Sequence, residues 1–438
     1  MNDSPKRLAY EDAPLGKFHW RLAAAGVGGA FTDGFGLGII GLALALAAPQ
    51  LSLTPVWVGL IGAGSLAGLF LGALVSGPLA DHYGRRPIFA YNMIFLAIAS
   101  ILQYFAASAG QLALLRLAIG FVLGSDYVVS KAMLGEFTPR LHRGRFLSSL
   151  GIAWAAGFAL AYFVAFALAA LGTASWRWML LTGAVPSLLI APLRFAIPES
   201  PMWLADHGQP ERAARIVGET LGANVALPLV RRAPSSHGTW RRLLSRPWRL
   251  RTLIGCIFFT CQVIPYFAIG TFVVRIIAEF NPTPKYVGGL FYNLALLFGA
   301  ILGFFIIDRV PRRRLLSGTF AVAAATMLVL TLRQQYPVAL VILLFAVFAL
   351  ALSAASSLVY VYLPELFPTE LRASGIGLAV AASRIGSALS TFLLPIVVAS
   401  FGIRAALGAC VVVLVVGWLT CQLWAPETRG ARLDLVEA

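Results

Sequence analysis

Five ionisable side chains lie near the middle of long apolar stretches of this chain. An ionised group in the hydrocarbon interior of a membrane costs free energy, so such residues usually face a helix-bundle interior or a water-filled cavity. We therefore expect these five side chains to surround one central polar site. They are Asp33, Arg116, Asp126, Lys131 and Arg384.

Three further charged residues lie closer to the ends of their apolar stretches. Side chains at such positions can extend to interfacial water, so they carry less weight as site residues. They are Arg194, Arg275 and Glu279.

One apolar stretch gathers most of the central charges. An α-helix turns by about 100° per residue, and at that spacing the polar residues of this stretch share one face about 140° wide. A helix that faces lipid would not gather them, so this face is expected to line a cavity; the alternative is a purely structural buried network. The residues are Arg116, Asp126, Tyr127, Ser130 and Lys131.

The composition places these stretches in a membrane. Hydrophobic residues make up 59% of the 438 residues and charged residues 12%, with a mean hydropathy of +0.83, which leaves too little polar surface for a water-soluble globule. A membrane crossing needs about 20 apolar residues. The sequence predicts twelve spans at residues 22–48, 56–80, 88–107, 111–135, 146–171, 177–197, 251–279, 286–307, 314–332, 338–363, 372–399 and 402–425.

Three short charged motifs occur twice, and each second copy lies about 228 residues downstream of the first. Internal repeats are typical of transporters, and six spans per repeat give both copies the same orientation. The sequence therefore predicts an all-α membrane protein with twelve transmembrane helices in two pseudo-symmetric six-helix bundles. The repeated acidic residues are Asp81 and Asp308, Glu136 and Glu365, and Glu199 and Glu427.

Arginine-rich connections follow the even-numbered spans, and the opposite connections carry few arginines. Because Lys and Arg beside a span are held on the cytoplasmic side, both termini are expected in the cytoplasm of a multi-pass protein of the inner cell membrane. The expected domains are an N-terminal bundle (1–197), a cytoplasmic linker with short helices (198–250) and a C-terminal bundle (251–438). These loops explain most of the net charge of +16, so nucleic acid is not an expected partner.

The repeated motifs resemble those of the major facilitator superfamily, in the branch that includes sugar porters, aromatic-acid/proton symporters and phosphate/proton symporters. The resemblance covers essentially the whole chain, and it implies two bundles that rock between outward-open and inward-open states around one central site. Its motifs are Asp81-x-x-Gly84-Arg85-Arg86, Glu136-x-x-Pro139-x-x-x-Arg143-Gly144, Pro198-Glu199-Ser200-Pro201, Pro364-Glu365-x-x-Pro368-Thr369-x-x-Arg372 and Pro426-Glu427-Thr428-Arg429-Gly430.

The resemblance also implies a cytoplasmic gate, in which salt bridges between the loop motifs hold the inner ends of the bundles together in the outward-facing state. Carboxylates and guanidiniums at span ends can form bidentate pairs of this kind; the alternative is that these charges only set the topology. Pro311 replaces the glycine of the family's second motif, so the turn there is expected to be stiffer. The gate residues are Asp81, Gly84, Arg85, Arg86, Glu136, Arg143, Glu199, Asp308, Arg312, Glu365, Arg372 and Glu427.

A proton site follows from the same resemblance. Asp33 and Arg116 match positions at which relatives in the sugar-porter branch carry the proton-coupling carboxylate of span 1 and its arginine partner. A change in the pairing of a carboxylate changes its proton affinity, which is the requirement for coupling. We therefore expect Asp33 to carry the proton and Arg116 to act as its switch, with Asp126 in the same site.

The sequence argues against a sugar as the substrate. Sugar porters of this branch use a glutamine on span 5 and a glutamine pair with asparagine on span 7, whereas span 5 here has no glutamine and span 7 has only Gln262. The central charges sum to a positive value, which favours an anion. The expected substrate-binding residues are Tyr127, Lys131, Trp154, Gln262, Tyr266, Tyr292, Asn293, Tyr360 and Arg384.

Partial likenesses point to two kinds of anion. Gly124-Ser125-Asp126-Tyr127 resembles a stretch of phosphate symporters, and Asp33-Gly34-Phe35 with Arg384-Ile385-Gly386 resembles aromatic-acid symporters. We expect a proton-coupled symporter of a small organic anion, with an aromatic acid as one possibility. The alternatives are a phosphate-like anion symporter or a drug/proton antiporter that exports lipophilic compounds.

Other classes fit the sequence poorly. No nucleophile and base pair, metal-ligand cluster or phosphate-cradling loop can be placed, so neither an enzyme nor a cofactor or metal is expected. The expected partners are a small-molecule substrate, protons and the lipid bilayer, and the protein is expected to be a monomer.

Overall fold

The computed structural model describes residues 8–227, 239–280, 285–307, 309–333 and 336–428. Within these ranges, twelve helical segments are long and apolar enough to cross a membrane, which confirms the predicted all-α fold. The N-terminal six are formed by α1 (Lys17–Gly38) with α2 (Ile40–Gln50), α3 (Pro55–Tyr83), α4 (Arg85–Tyr104), α5 (Ala109–Phe137), α6 (Arg140–Leu168), and α7 (Ser175–Leu181) with α8 (Ala184–Phe195).

Short helices follow the sixth span, and six long helices complete the chain. The short helices are α9 (Pro201–Asp206), α10 (Pro210–Thr220) and α11 (Thr239–Leu243). The C-terminal spans are α12 (Arg246–Phe280), α13 (Lys285–Ile306), α14 (Arg312–Leu332), α15 (Val338–Glu365), α16 (Thr369–Phe401) and α17 (Ile403–Trp424).

The same helix pairs pack together in both halves, as expected for two copies of one unit. Helix α1 packs along α6 and α3 along α5 in the first half; the equivalent pairs in the second half are α12 with α16 and α13 with α15. The first span of each half is also interrupted, at Ile39 between α1 and α2 and at Phe272 within α12. The two halves therefore share their internal packing and a break in the leading helix.

Helices α1 and α6 touch through their main chains. A Cβ atom on Gly34 would lie 1.9 Å from the Trp154 carbonyl oxygen, and one on Gly157 would lie 1.9 Å from the Phe31 carbonyl oxygen. No side chain other than hydrogen fits at these two positions. The contact fixes Trp154 against the turn of α1 that carries Asp33.

The two halves meet at one end of the bundle and separate at the other. At the closed end, α3 packs on α16, where a Cβ on Gly59 would lie 2.3 Å from the Phe392 carbonyl oxygen, and the Tyr162 hydroxyl donates to the Tyr286 carbonyl at 3.0 Å. The other end carries the arginine-rich loops and is open between α6 and α13. A cavity enters the protein from that end.

Candidate functional site

The cavity between the halves has a volume of about 650 Å³. It runs from residues at the open ends of α6 and α13, such as Arg145 and Phe305, to residues of the central turns. Five predicted site residues line its inner part together with Asp33, and they come from both halves. These five are Tyr127, Trp154, Gln262, Tyr266 and Arg384.

Two cations from opposite halves converge on one tyrosine. The Lys131 ammonium of α5 lies 3.3 Å from the centroid of the Tyr127 ring, and the Arg384 guanidinium of α16 lies 5.6 Å from it. Both side chains also interact with the Tyr127 hydroxyl. Arg384 is 8% exposed and lines the cavity, so it can meet a ligand there. The arrangement presents positive charge to the cavity beside an aromatic ring.

Four aromatic rings form a wall next to these cations. Trp154 stacks on Phe158 with ring centroids 5.3 Å apart, and it lies 6.2 Å from Tyr266 and 6.1 Å from Phe267. Arg384 lies 5.9 Å from the Phe267 ring. Trp154 comes from the first half and Tyr266 and Phe267 from the second, so the wall also spans both halves.

Asp33 lies in the same cavity, on α1. It is 6% exposed, and its Oδ1 atom has no hydrogen-bond partner among the residues that the structure describes. Its carboxyl group lies beside that of Asp126, and it interacts electrostatically with Asp126 and with Arg194. Asp33 is therefore a buried carboxyl group with access to the cavity and, among the described residues, without a direct ion pair.

The predicted pairing of Asp33 with Arg116 is absent from this conformation. Arg116 donates from Nη2 to the Gly36 carbonyl at 3.0 Å and from Nη1 to Gln103 Oε1 at 3.3 Å. Gly36 lies just before the break in the first span, where helical hydrogen bonding is interrupted, so its carbonyl accepts from a side chain. The role of Arg116 as a switch remains a prediction.

Arg194 is the ion-pair partner that the sequence interpretation underestimated. It is completely buried, and its two terminal nitrogens bind the two carboxylate oxygens of Asp126, one of them at 2.9 Å. Its position one residue before the end of α8 suggested a side chain that reaches interfacial water. Its burial results from the helices packed around it, which periodicity within one helix does not reveal.

The remaining predicted substrate residues do not line the cavity. Tyr292 and Asn293 of α13 are buried behind it, at 0% and 2% exposure, and Lys131 reaches it only through Tyr127. Gln262 does line it, but its amide nitrogen already donates to the Leu352 carbonyl at 3.1 Å and to Ser356 at 3.0 Å. The side chain of Tyr360 lies outside the described residues.

Phe267 and three serines of α15 line the cavity without having been predicted. Phe267 follows Tyr266 directly, and both side chains line the cavity. The apolar length of α15 gave no signal for its serines, since isolated serines are common in spans. They are Ser353, Ser356 and Ser357.

The gate motifs form a matching network in each half. In the first, Glu199 accepts from the backbone N–H groups of Arg85 at 3.1 Å and Arg86 at 3.0 Å, which are the first two residues of α4. Arg85 also binds Glu136 at 2.9 Å and Asp81 at 3.7 Å. A carboxylate at a helix N-terminus satisfies free N–H groups and interacts favourably with the helix dipole.

The second half repeats this network. Glu427 accepts from the backbone N–H groups of Arg312 at 2.9 Å and Arg313 at 3.1 Å, and Arg312 lies 3.6 Å from Glu365. Arg143 and Arg372 bind main-chain carbonyls of their own halves. Asp308 lies outside the described residues.

All of the bonds described above join residues of the same half, so the expected gate between halves remains a prediction for the outward-facing state. Gly84 has φ +97°, a conformation that favours glycine, whereas Pro311 has φ −54°. The turn of the second motif therefore differs, yet its glutamate cap is retained.

The described residues contain no group of three or more His, Cys, Asp or Glu side chains placed to hold a metal ion. The chemistry that the site offers is binding of an anion by cations and aromatic rings, and proton exchange at a carboxyl group.

Comparison with known proteins identifies the class. A family profile described as "Sugar (and other) transporter" matches residues 23–438. The chain belongs to this family of membrane transporters, which confirms the predicted major facilitator superfamily branch and shows that it is a multi-pass membrane protein and not an enzyme.

Among curated relatives, the inner membrane metabolite transport protein YgcS of Escherichia coli (strain K12) is 40% identical over 434 residues, covering 99% of this chain and 96% of that protein. The putative metabolite transport protein YaaU of the same strain is 34% identical, covering 97% and 96%. The niacin transporter NiaP of Acinetobacter baylyi (strain ATCC 33305 / BD413 / ADP1) is 26% identical, covering 97% and 98%.

A solved structure has the same fold. The partially occluded inward open conformation of the xylose transporter XylE from E. coli matches with a TM-score of 0.78 and 18% identity, covering 95% of this chain and 100% of that chain.

Proposed function

We propose that the protein is a secondary active transporter that carries a small aromatic carboxylate together with protons by alternating access. The observation that carries this proposal is the meeting of Lys131 and Arg384, from opposite halves, at Tyr127 beside the aromatic wall. A carboxylate bound in the cavity at Arg384 and Tyr127 would contact both halves at once, with Lys131 adding positive charge from behind the Tyr127 ring, and a planar ring would lie against Trp154 and Tyr266.

Binding to both halves is what alternating access requires of a substrate. A ligand that touches only one half has no differential effect on the two conformations, whereas one that joins them stabilises the closed states between outward-open and inward-open. Arg384 is the charged residue by which the second half takes part, because the other central charges lie on α1 and α5.

The proton part of the proposal rests on Asp33. With its carboxyl group ionised, Asp33 places a negative charge in the cavity that repels an anionic substrate; protonation removes that repulsion. Proton and anion therefore favour one another's binding, which is the thermodynamic basis of symport.

The relatives are not named for one common substrate. A relative across nearly its full length is named as a niacin transporter, and niacin is a pyridine carboxylic acid. Other relatives at similar identity are named for glucose and for arabinose with protons. The aromatic and cationic lining favours an aromatic acid. Phosphate would make no favourable stacking contact with the aromatic wall, and the positive charge of the site would repel lipophilic cations.

The sidedness of the protein belongs to the same proposal. The open end of the cavity carries the arginine-rich loops, so it faces the cytoplasm of an inner membrane protein whose termini are both cytoplasmic. This conformation is then inward-open. We further propose a monomer, and the division into bundles 1–197 and 251–438 joined by the cytoplasmic linker.

A thermal-shift screen of the purified protein tests the substrate class, because a ligand of the native state raises the unfolding temperature by mass action. Benzoate and nicotinate should stabilise the protein, whereas benzamide and nicotinamide, which match them in shape but carry no charge, should not. Cyclohexanecarboxylate should stabilise it less than benzoate. Stabilisation by xylose, phosphate or tetraphenylphosphonium without stabilisation by any of the acids would reject the proposal.

Proton coupling is tested in proteoliposomes with a stabilising acid. Asp33→Asn should retain exchange of internal for external substrate and lose accumulation driven by a proton gradient. Proton-driven accumulation by this variant would reject Asp33 as the carrier.

A further inference from the structure

Arg194 joins four helices at one buried point. Besides both oxygens of Asp126 on α5, it donates to Ser130 at 3.3 Å, to the Ala25 carbonyl of α1 at 3.3 Å and to the Phe89 carbonyl of α4 at 3.2 Å. All its nitrogens therefore have acceptors, which is the condition under which a buried guanidinium is stable.

The first span has a glycine where this guanidinium packs against it. A Cβ atom on Gly29 would lie 1.6 Å from the Arg194 Nη2 atom and 3.1 Å from Asp126 Oδ2. Gly29 lies one helical turn before Asp33. The ion pair is thus seated against the same helix as the proposed proton carrier, one turn away along the chain.

The charges at this point do not balance when both carboxyl groups are ionised. Asp33 and Asp126 contribute two negative charges and Arg194 one positive charge. Asp126 has both oxygens engaged by Arg194 and also accepts from Ser130 at 3.1 Å, whereas Asp33 Oδ1 has no partner in the described part of the chain. A single added proton should therefore bind to Asp33 and not to Asp126.

We infer that Arg194 is a positioning residue of the proton site: by neutralising Asp126, it leaves Asp33 as the group that takes up and releases a single proton. The inference rests on the proposed proton coupling and goes beyond it, since it assigns the counter-ion and limits the site to one proton.

The groups that face Asp33 come from three helices packed on α1. Helix α5 contributes Asp126, α8 contributes Arg194, and α6 contributes the main chain of Trp154 at Gly34. Arg116 donates to the Gly36 carbonyl and to Gln103 and makes no bond to Asp33 in the described part of the chain. The balance at Asp33 is thus set by one anion and one cation that bind each other.

The test is an infrared titration of the purified protein, which follows the C=O band of a protonated carboxyl group and needs no substrate. The band that titrates in the unmodified protein and disappears in Asp33→Asn reports Asp33. Asp126→Asn frees Arg194 to pair with Asp33, so the midpoint should move about one pH unit or more to lower pH.

Arg194→Gln leaves Asp126 unneutralised, so the midpoint should move about one pH unit or more to higher pH and a second carboxyl band should appear. The double variant Asp126→Asn/Arg194→Gln removes both charges together and should restore a midpoint close to the original. Arg194→Lys keeps the charge and should also leave the midpoint near the original.

Shifts of both single variants in the same direction, or a double variant that stays shifted, would overturn the inference. If Arg194→Gln does not fold, the opposite behaviour of Asp126→Asn and the double variant still decides it. A titration that follows this pattern in a protein that transports no acid would reject the proposed substrate and leave the role of Arg194 standing.

Discussion

Removal of the Arg384 guanidinium should weaken binding of an aromatic carboxylate far more than it weakens binding of a neutral analogue. Arg384 is 8% exposed and lines the cavity, so its interaction with an anion is only weakly screened by water. Two unit charges about 4 Å apart attract by about 4 kcal/mol at an effective dielectric constant of about 20, and a hydrogen bond to a charged group contributes about 1.5–3 kcal/mol net.

Lys131 remains in Arg384→Ala and supplies part of the lost attraction, so we expect a loss of about 2–3 kcal/mol. The dissociation constant should rise by about 30–150-fold. Arg384→Lys keeps the positive charge but loses the planar guanidinium, so it should lower the binding free energy of the acid by less than Arg384→Ala does. Isothermal titration calorimetry with the acid that stabilises the protein most gives the constants directly.

Tyr292→Phe is the matched control, because Tyr292 is buried in the same half but does not line the cavity. Its dissociation constant should stay within about twofold of the original. Equal effects of Arg384→Ala and Tyr292→Phe, or an equal loss for the acid and its amide in Arg384→Ala, would refute the reasoning that Arg384 recognises the negative charge.

Two further predictions concern stability, measured by thermal unfolding in detergent. Gly34→Ala should lower the free energy of unfolding by about 1–3 kcal/mol, because its Cβ would lie 1.9 Å from the Trp154 carbonyl oxygen. Gly77→Ala is the control: a Cβ there would have nothing within 4 Å, so this variant should be neutral or slightly more stable. Equal unfolding temperatures of the two variants would contradict the main-chain contact. Glu199→Gln loses one of two acceptors and the charge at the start of α4, and it should cost about 1 kcal/mol. Glu427→Gln should cost a similar amount, and no loss in either variant would show that the caps do not contribute to stability.

Hydropathy and repeated motifs were sufficient to predict the architecture. Each span is long and apolar enough to be recognised alone, and the repeat of Glu199 as Glu427 identified two copies of one unit, which the matching caps in the structure explain. The helical face of α5 was also informative, because periodicity within one helix is fixed by geometry. Tyr127 lies on that face and lines the cavity.

The partners of buried charges could not be predicted in the same way. Arg116 and Arg194 are both arginines in apolar helices, and nothing in their local sequence tells which one meets a carboxylate. That depends on how four helices pack, on the absence of a side chain at Gly29, and on a carbonyl at Gly36 made available by the break in the first span. Such tertiary features are distributed over residues far apart in the chain.

The main-chain contact between α1 and α6 limits how proton and substrate can influence each other in the proposed symport. Because no side chains separate these helices at Gly34 and Gly157, we expect Asp33 and Trp154 to move as parts of one rigid body in the proposed rocking of the halves. Their separation should then stay constant through the proposed transport cycle. In the proposed symport, Asp33 and Trp154 would therefore influence each other electrically, through the charge on the substrate, and not through a lever movement inside the N-terminal half.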